Sequence, residues 1–176
     1  ALMCDMFLKL LDEYAFEDIS ISLLCQKTGI TRATFYSHFG DMDHFFDAVA
    51  KRLFLALAEE DRTLIRNMDL TDELYRATFL ALFEHILSYR SFYQVYVTKV
   101  AQLPFLSAVS AFGHSDGMKR YAAIQGITSK RQAEYCAAFY YTGLTAMIRM
   151  WLDGGCQESP DEMYELMSIQ AKNLAR

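Results

Sequence analysis

Apolar residues return every three or four positions along almost the whole chain, and no stretch alternates apolar and polar residues one by one as a half-buried strand would. The first segment sets the pattern. Leu2, Met3, Met6, Phe7, Leu10, Leu11 and Tyr14 make one helical stripe, while Asp5, Lys9, Asp12 and Glu13 fill the opposite side. Only 2 prolines and 8 glycines interrupt 176 residues, so the helices can be long. With 53% hydrophobic and 22% charged residues, the chain has the material for a packed core and is neither disordered nor collagen-like. The expectation is an all-α fold of nine or ten helices.

Boundary signals divide the pattern. Ser20 can cap a short helix that turns Ile21, Leu24 and Cys25 inward, and Gly29 can end it. Thr31 can cap the next helix, from Arg32 to about His38, and Asp41 can cap a long fourth one. That fourth helix carries Met42, Phe45, Phe46, Val49, Leu53, Phe54 and Leu57 on one stripe, and its cluster Glu59-Glu60-Asp61-Arg62 reads as a solvated face. Thr71-Asp72-Glu73 and Pro104 mark further starts, and Gly113 to Gly117 reads as a loop. From Tyr135 to Leu152 Arg149 is the only charge. The run is short for a membrane span and holds three tyrosines and two threonines, so a helix buried on all sides, at a subunit interface, is the better reading. Ala137, Ala138, Gly143 and Ala146 would admit a close partner helix. Gly154-Gly155 stop the run, and Ser159-Pro160-Asp161-Glu162 is a capping box opening a last helix with Met163, Leu166, Met167, Gln170 and Leu174 on one face.

Several chemistries find no residues to carry them. Cys4, Cys25, Cys136 and Cys156 form no CxxC pair and read as buried, reduced thiols of a cytoplasmic protein. No metal-ligand cluster, phosphate loop, nucleophile elbow or carboxylate pair can be named, so neither an enzyme nor a bound cofactor is expected. His114, Ser115 and Asp116 are adjacent, but a catalytic triad is assembled by geometry and not by adjacency. His85 and His114 read as core or solvated histidines. The first segment has acids and no basic start, so no secretory leader is expected.

Two short helices around Thr28-Gly29-Ile30-Thr31 make a helix-turn-helix. The second would bury Phe35 and Phe39 and leave Arg32, Ala33, Thr34, Tyr36, Ser37 and His38 as a polar, small-residue surface, as a helix entering the DNA major groove requires. The string from Ile19 to Phe39, with its Thr34-Phe35-Tyr36-Ser37-His38-Phe39 core, resembles the DNA-binding signature of the tetracycline-repressor (TetR/AcrR) family, together with the helix before it and the Asp41–Val49 start of the helix after it. Trp151-Leu152-Asp153-Gly154-Gly155 and Glu158 to Glu162 are similar to the end of one regulatory-domain subgroup.

The resemblance implies a DNA-binding domain over residues 1–47 and a helical ligand-binding and dimerisation domain over 48–176. It implies a ligand-responsive regulator, a repressor, that binds a palindromic double-stranded operator as a homodimer joined through its last two long helices. Thr31, Arg32, Ala33, Thr34, Tyr36, Ser37 and His38 would form the DNA surface, Tyr36 and His38 positioning on phosphates. Arg32 is the candidate for reading a guanine edge. Met42 stands where the family usually has a phosphate-contacting lysine.

Charge pulls the other way. Residues 1–50 hold three bases (Lys9, Lys27, Arg32) against eight acids, and the whole chain carries −5. Neutral donors would have to replace much of the usual phosphate neutralisation. The alternative is therefore a helical small-molecule-binding or interaction protein that has lost specific DNA binding. For the effector, the aromatic-rich middle of the chain reads either as core or as a pocket with hydroxyl handles, and Tyr93, Tyr96, Tyr140 and Met147 are the candidate lining. An apolar or aromatic molecule would suit it better than an anion.

Overall fold

The computed structural model describes residues 2–67, 72–99, 127 and 129–173. Among them are eight α-helices and no strand: α1 (Leu2–Glu13), α2 (Ile21–Thr28), α3 (Arg32–Phe39), α4 (Met42–Asn67), α5 (Asp72–Ser88), α6 (Arg90–Lys99), α7 (Lys130–Asp153) and α8 (Pro160–Asn173). Between α1 and α2 the chain makes a 3-10 turn, Phe16–Asp18. The starts expected at Thr71 and Pro104, the Gly113–Gly117 loop with His114, and Leu174 lie outside the described residues.

The helix starts follow the side chains expected to make them. Leu23 N donates to Ser20 Oγ at 3.1 Å, Thr34 N to Thr31 Oγ1 at 3.1 Å, and His44 N to Asp41 Oδ1 at 2.8 Å. Each satisfies an amide that the first turn would leave unpaired. At α8 the box closes both ways: Ser159 N donates to Glu162 Oε2 at 2.8 Å and Glu162 N to Ser159 Oγ at 3.3 Å. Gly29 adopts the left-handed conformation (φ 70°) that lets α2 stop and α3 leave at a new angle.

The helices α1–α3 and the start of α4 close on a wholly apolar centre. Phe7 meets Phe45 edge-on at 5.3 Å, and Phe45 touches Phe35 and Phe39. Phe7, Leu24, Phe35 and Phe45 are fully buried. Downstream, α4 lies along α5, α5 along α8, and α6 along α7. Phe83 packs edge-on to Trp151, whose Nε1 donates to Glu158 O at 3.0 Å and so pins the turn between α7 and α8. Arg149, the lone charge in its apolar run, donates to Val97 O at 2.6 Å and ties α7 to the end of α6.

Three residues depart from their expected places. Asp61, read as part of a solvated face, is buried while Glu59 and Glu60 are exposed. It follows Leu53 and Leu57 at four-residue steps and so falls on the inner stripe of α4. Leu166, expected beside Met163 and Met167, is 47% exposed, because α8 needs only a narrow stripe to cover α5. Phe139, in the aromatic-rich part of the chain that reads as core or pocket, is 67% exposed on the outer side of α7.

Candidate nucleic-acid interface

The surface expected to meet DNA is built by two caps and one buried ring. Phe35 has no exposure and anchors α3 against α4. A helix held by one face must present the rest, and Thr31, Arg32, Ala33, Thr34, Tyr36, Ser37 and His38 are all exposed. They form one continuous patch over the N-terminal and outer part of α3. Thr31 and Thr34 share a hydroxyl–hydroxyl bond of 2.9 Å, and Ser37 Oγ donates to Thr34 O at 2.9 Å. Arg32 and Tyr36 sit one turn apart, and the hydrogen bond that Arg32 donates to the Tyr36 hydroxyl raises the guanidinium above its ordinary value. Arg32 thus stays cationic and is steered along the helix by a neighbour.

At the end of α3, Gly40 turns the chain with φ 80°, and Asp41 caps α4. The His44 ring lies 2.9 Å from Asp41 Oδ1, and the bonds from the His44 amide and ring hold the Asp41 carboxyl below the usual range. His44 was not among the predicted residues; the Asp-x-x-His spacing that opens α4 was the available signal.

Four of the eight acids that made the first fifty residues look hostile to DNA are engaged elsewhere. Asp5 pairs with Arg52 at 2.7 Å, Asp12 accepts from Ser91 Oγ at 2.7 Å, and Asp43 pairs with Lys99 at 3.0 Å. Asp47 lies close enough to Tyr96 to help raise its phenol, an effect that follows burial. These four carboxylates point to the later part of α4 and to α6. Lys99 also lies over the rings of Phe16 (4.6 Å) and Phe46 (5.4 Å), so one side chain joins α6 to both the turn after α1 and the start of α4. The sequence pattern carried no sign of these ties, because each joins residues far apart in the chain.

The four residues predicted to line an effector site divide into two places. Tyr93 and Tyr96 are buried on α6, stacked among Phe46, Phe54 and Phe92. The Tyr93 hydroxyl lies 3.0 Å from His85 Nε2. Burial holds His85 down to about 4, so it is neutral, and pushes the Tyr93 phenol far up. Tyr140 is half-buried on α7 and shares a 2.7 Å hydroxyl bond with Tyr75 of α5; its phenol is also raised, chiefly by burial. Met147 lies two turns on along the inner side of α7. No group of three metal-ligating side chains occurs among the described residues. Among those residues no helix is long and apolar enough to cross a membrane.

Comparison with known proteins bears on both ends of the chain. Residues 8–49 match the model of the bacterial regulatory proteins of the tetR family, and residues 73–173 match that of a transcriptional regulator C-terminal region in the same series. The crystal structure of a TetR-like transcriptional regulator from Rhodococcus sp. RHA1 superposes with a TM-score of 0.62 at 18% identity, over 99% of this chain and 91% of that one. No curated protein matches the chain.

Proposed function

The chain belongs to the tetR family of DNA-binding transcriptional regulators, and from that premise we propose that it works in the cytoplasm as a repressor, a homodimer on a palindromic operator that lets go when a small molecule binds. The observation that carries the reading is the surface of α3: seven exposed, polar or small residues from Thr31 to His38, held out by a single buried phenylalanine. Arg32 makes the paired hydrogen bonds to a guanine edge, and Thr34, Tyr36, Ser37 and His38 set register on phosphates and sugars. The division follows the premise, with residues 1–47 carrying DNA and 48–176 carrying effector and partner. The four carboxylates engaged with α4 and α6 reduce the strongest objection, the acidic charge of the first fifty residues.

The dimer rests on α7. Leu144, Ile148, Trp151 and Leu152 are buried on one side, while Tyr135, Ala138, Phe139, Thr142, Gly143, Ala146 and Met150 are exposed on the other. An apolar stripe several turns long on an uncovered helix is a surface waiting for a partner. Leu166 and Ile169, both about half exposed, give α8 apolar surface of its own. Small residues between the large ones let two helices approach closely. A second copy presenting the same stripe closes a four-helix bundle with two-fold symmetry, and the operator inherits that symmetry.

The effector acts through two connections. One is α4, which runs from the DNA-binding unit into the second unit without a break. The other is α6, held to α1 by Ser91–Asp12, to α4 by Lys99–Asp43 and to α7 by Gln94 Nε2–Leu152 O (3.0 Å). An effector seated near Tyr93 and Tyr96, or near Tyr140 and Met147, biases where α6 rests and with it the two recognition helices. The decisive test is fluorescence anisotropy of the full chain with its own upstream DNA, alongside sedimentation. Saturable binding of a dimer with half-sites about one helical turn or a multiple apart supports the reading; a monomer with no sequence preference ends it.

A further inference from the structure

Asp61 is the least expected side chain in the interior. It is 7% exposed, and its Oδ1 is buried with no hydrogen-bond partner. Its neighbours in sequence do not help it. Arg62 donates to Glu59 at 2.6 Å on the outer side of the helix, and the proximity of Glu60 adds to the cost of charging Asp61. Among the described residues no salt bridge reaches it. A lone carboxylate in such a place is costly unless a cation neutralises it. Asp61 continues the inner stripe of α4 one turn beyond Leu57, on a helix that lies along α5. A buried, unpartnered carboxylate on an otherwise apolar stripe favours one kind of guest.

We propose that Asp61 is the counter-charge for the effector, and that the effector is an apolar monocation, an amine or quaternary ammonium bearing hydrocarbon or aromatic groups. The inference rests on the reading that the second unit takes a small molecule. It narrows that reading: an anion would meet the carboxylate's repulsion, and a neutral hydrocarbon would leave it buried and unpaired. A cation with an apolar body satisfies the carboxylate with its charge and the core with its surface.

The test uses the full chain without DNA and three probes: tetraethylammonium, benzyltrimethylammonium and tetraphenylphosphonium. Titration calorimetry should show saturable binding of at least one of the three. Benzyltrimethylammonium should bind at least about thirty-fold more tightly than neopentylbenzene, its neutral carbon analogue, as expected for a buried charge pair. Asp61→Asn should erase that preference while leaving DNA affinity without effector unchanged. No binding by all three cations, or a preference that survives in Asp61→Asn, overturns the inference. Should the variant fail to fold, the cation-against-neutral comparison on the natural chain decides alone. DNA binding is scored separately. Its loss with cation preference intact removes the regulator reading only, and the reverse result removes only the assignment of Asp61.

Discussion

The two units of the chain treat polarity in opposite ways. Around α1–α3 the centre is entirely apolar and the outer surface of the recognition helix is hydroxyl-rich and charged. In the second unit a carboxylate and an imidazole, Asp61 and His85, are buried, while a stripe of tyrosine, phenylalanine and methionine faces outward on α7. The first arrangement is what a chain needs to be stable alone in water. The second is incomplete as it stands, and each inversion indicates what would complete it: a partner for the outer stripe, a guest for the inner charge. DNA asks only for donors that water can solvate when DNA is absent, so the first unit needs no such exception.

The largest effect expected from breaking this contrast is at α7. Phe139→Glu with Met150→Glu places charges in the centre of the proposed dimer stripe and should abolish dimerisation by sedimentation at micromolar protein, with helix content kept; a dimer that survives would put the interface elsewhere.

Next come the buried titratable groups, which pull stability in opposite directions. His85, lowered by burial from 6.5 to about 4, resists protonation in the fold while the unfolded chain accepts a proton. Stability is therefore lost as pH falls from 6.5 toward 4, by on the order of 3 kcal/mol. Asp61, raised by burial from 3.8 to about 6, holds its proton in the fold, so its contribution to stability grows as pH falls from 6 toward 4, by on the order of 3 kcal/mol. The natural chain should show a shallow dependence in urea unfolding. Asp61→Asn should be more stable near neutral pH and should expose the acid loss due to His85. Matching profiles for the two proteins would show that Asp61 does not titrate in this window.

On the polar surface, Arg32→Ala should cost about five- to 150-fold in discrimination at one base pair, read by anisotropy against single-substitution operators. Equal weakening on every sequence would reassign Arg32 to a phosphate. The smallest change is local: Thr31→Ala removes the cap of α3 and should lower stability by about 1 kcal/mol in denaturant unfolding, with the affinity for DNA falling as the helix start frays.

The same contrast explains what could be read without coordinates. Ser20, Thr31, Asp41 and the Ser159–Glu162 box act within a turn or so of their own position, and each does what its local spacing implied. The inner stripe of α4 was equally legible from Met42 to Leu57. Asp61 was hidden because charge was given priority over position, although it continues that stripe one turn further. On α7 apolar residues stand on every side, so periodicity could not say which of Leu144 and Phe139 faces inward. The ties from α6 to Asp12 and Asp43 join segments distant in the chain, and no local pattern encodes them. The candidate DNA surface was legible as a set of residues, whereas its electrostatic setting depended on where four carboxylates are aimed.

The unbroken length of α4 carries a mechanical consequence. Its 26 residues, at about 1.5 Å each, span roughly 39 Å. Pivoting such an arm by about 5° sweeps its tip through roughly 3 Å, close to the rise per base pair along the duplex axis. Angular shifts too small to disturb the packing of either end can therefore carry a recognition helix nearly one base step out of register, and in a symmetric pair the two errors accumulate.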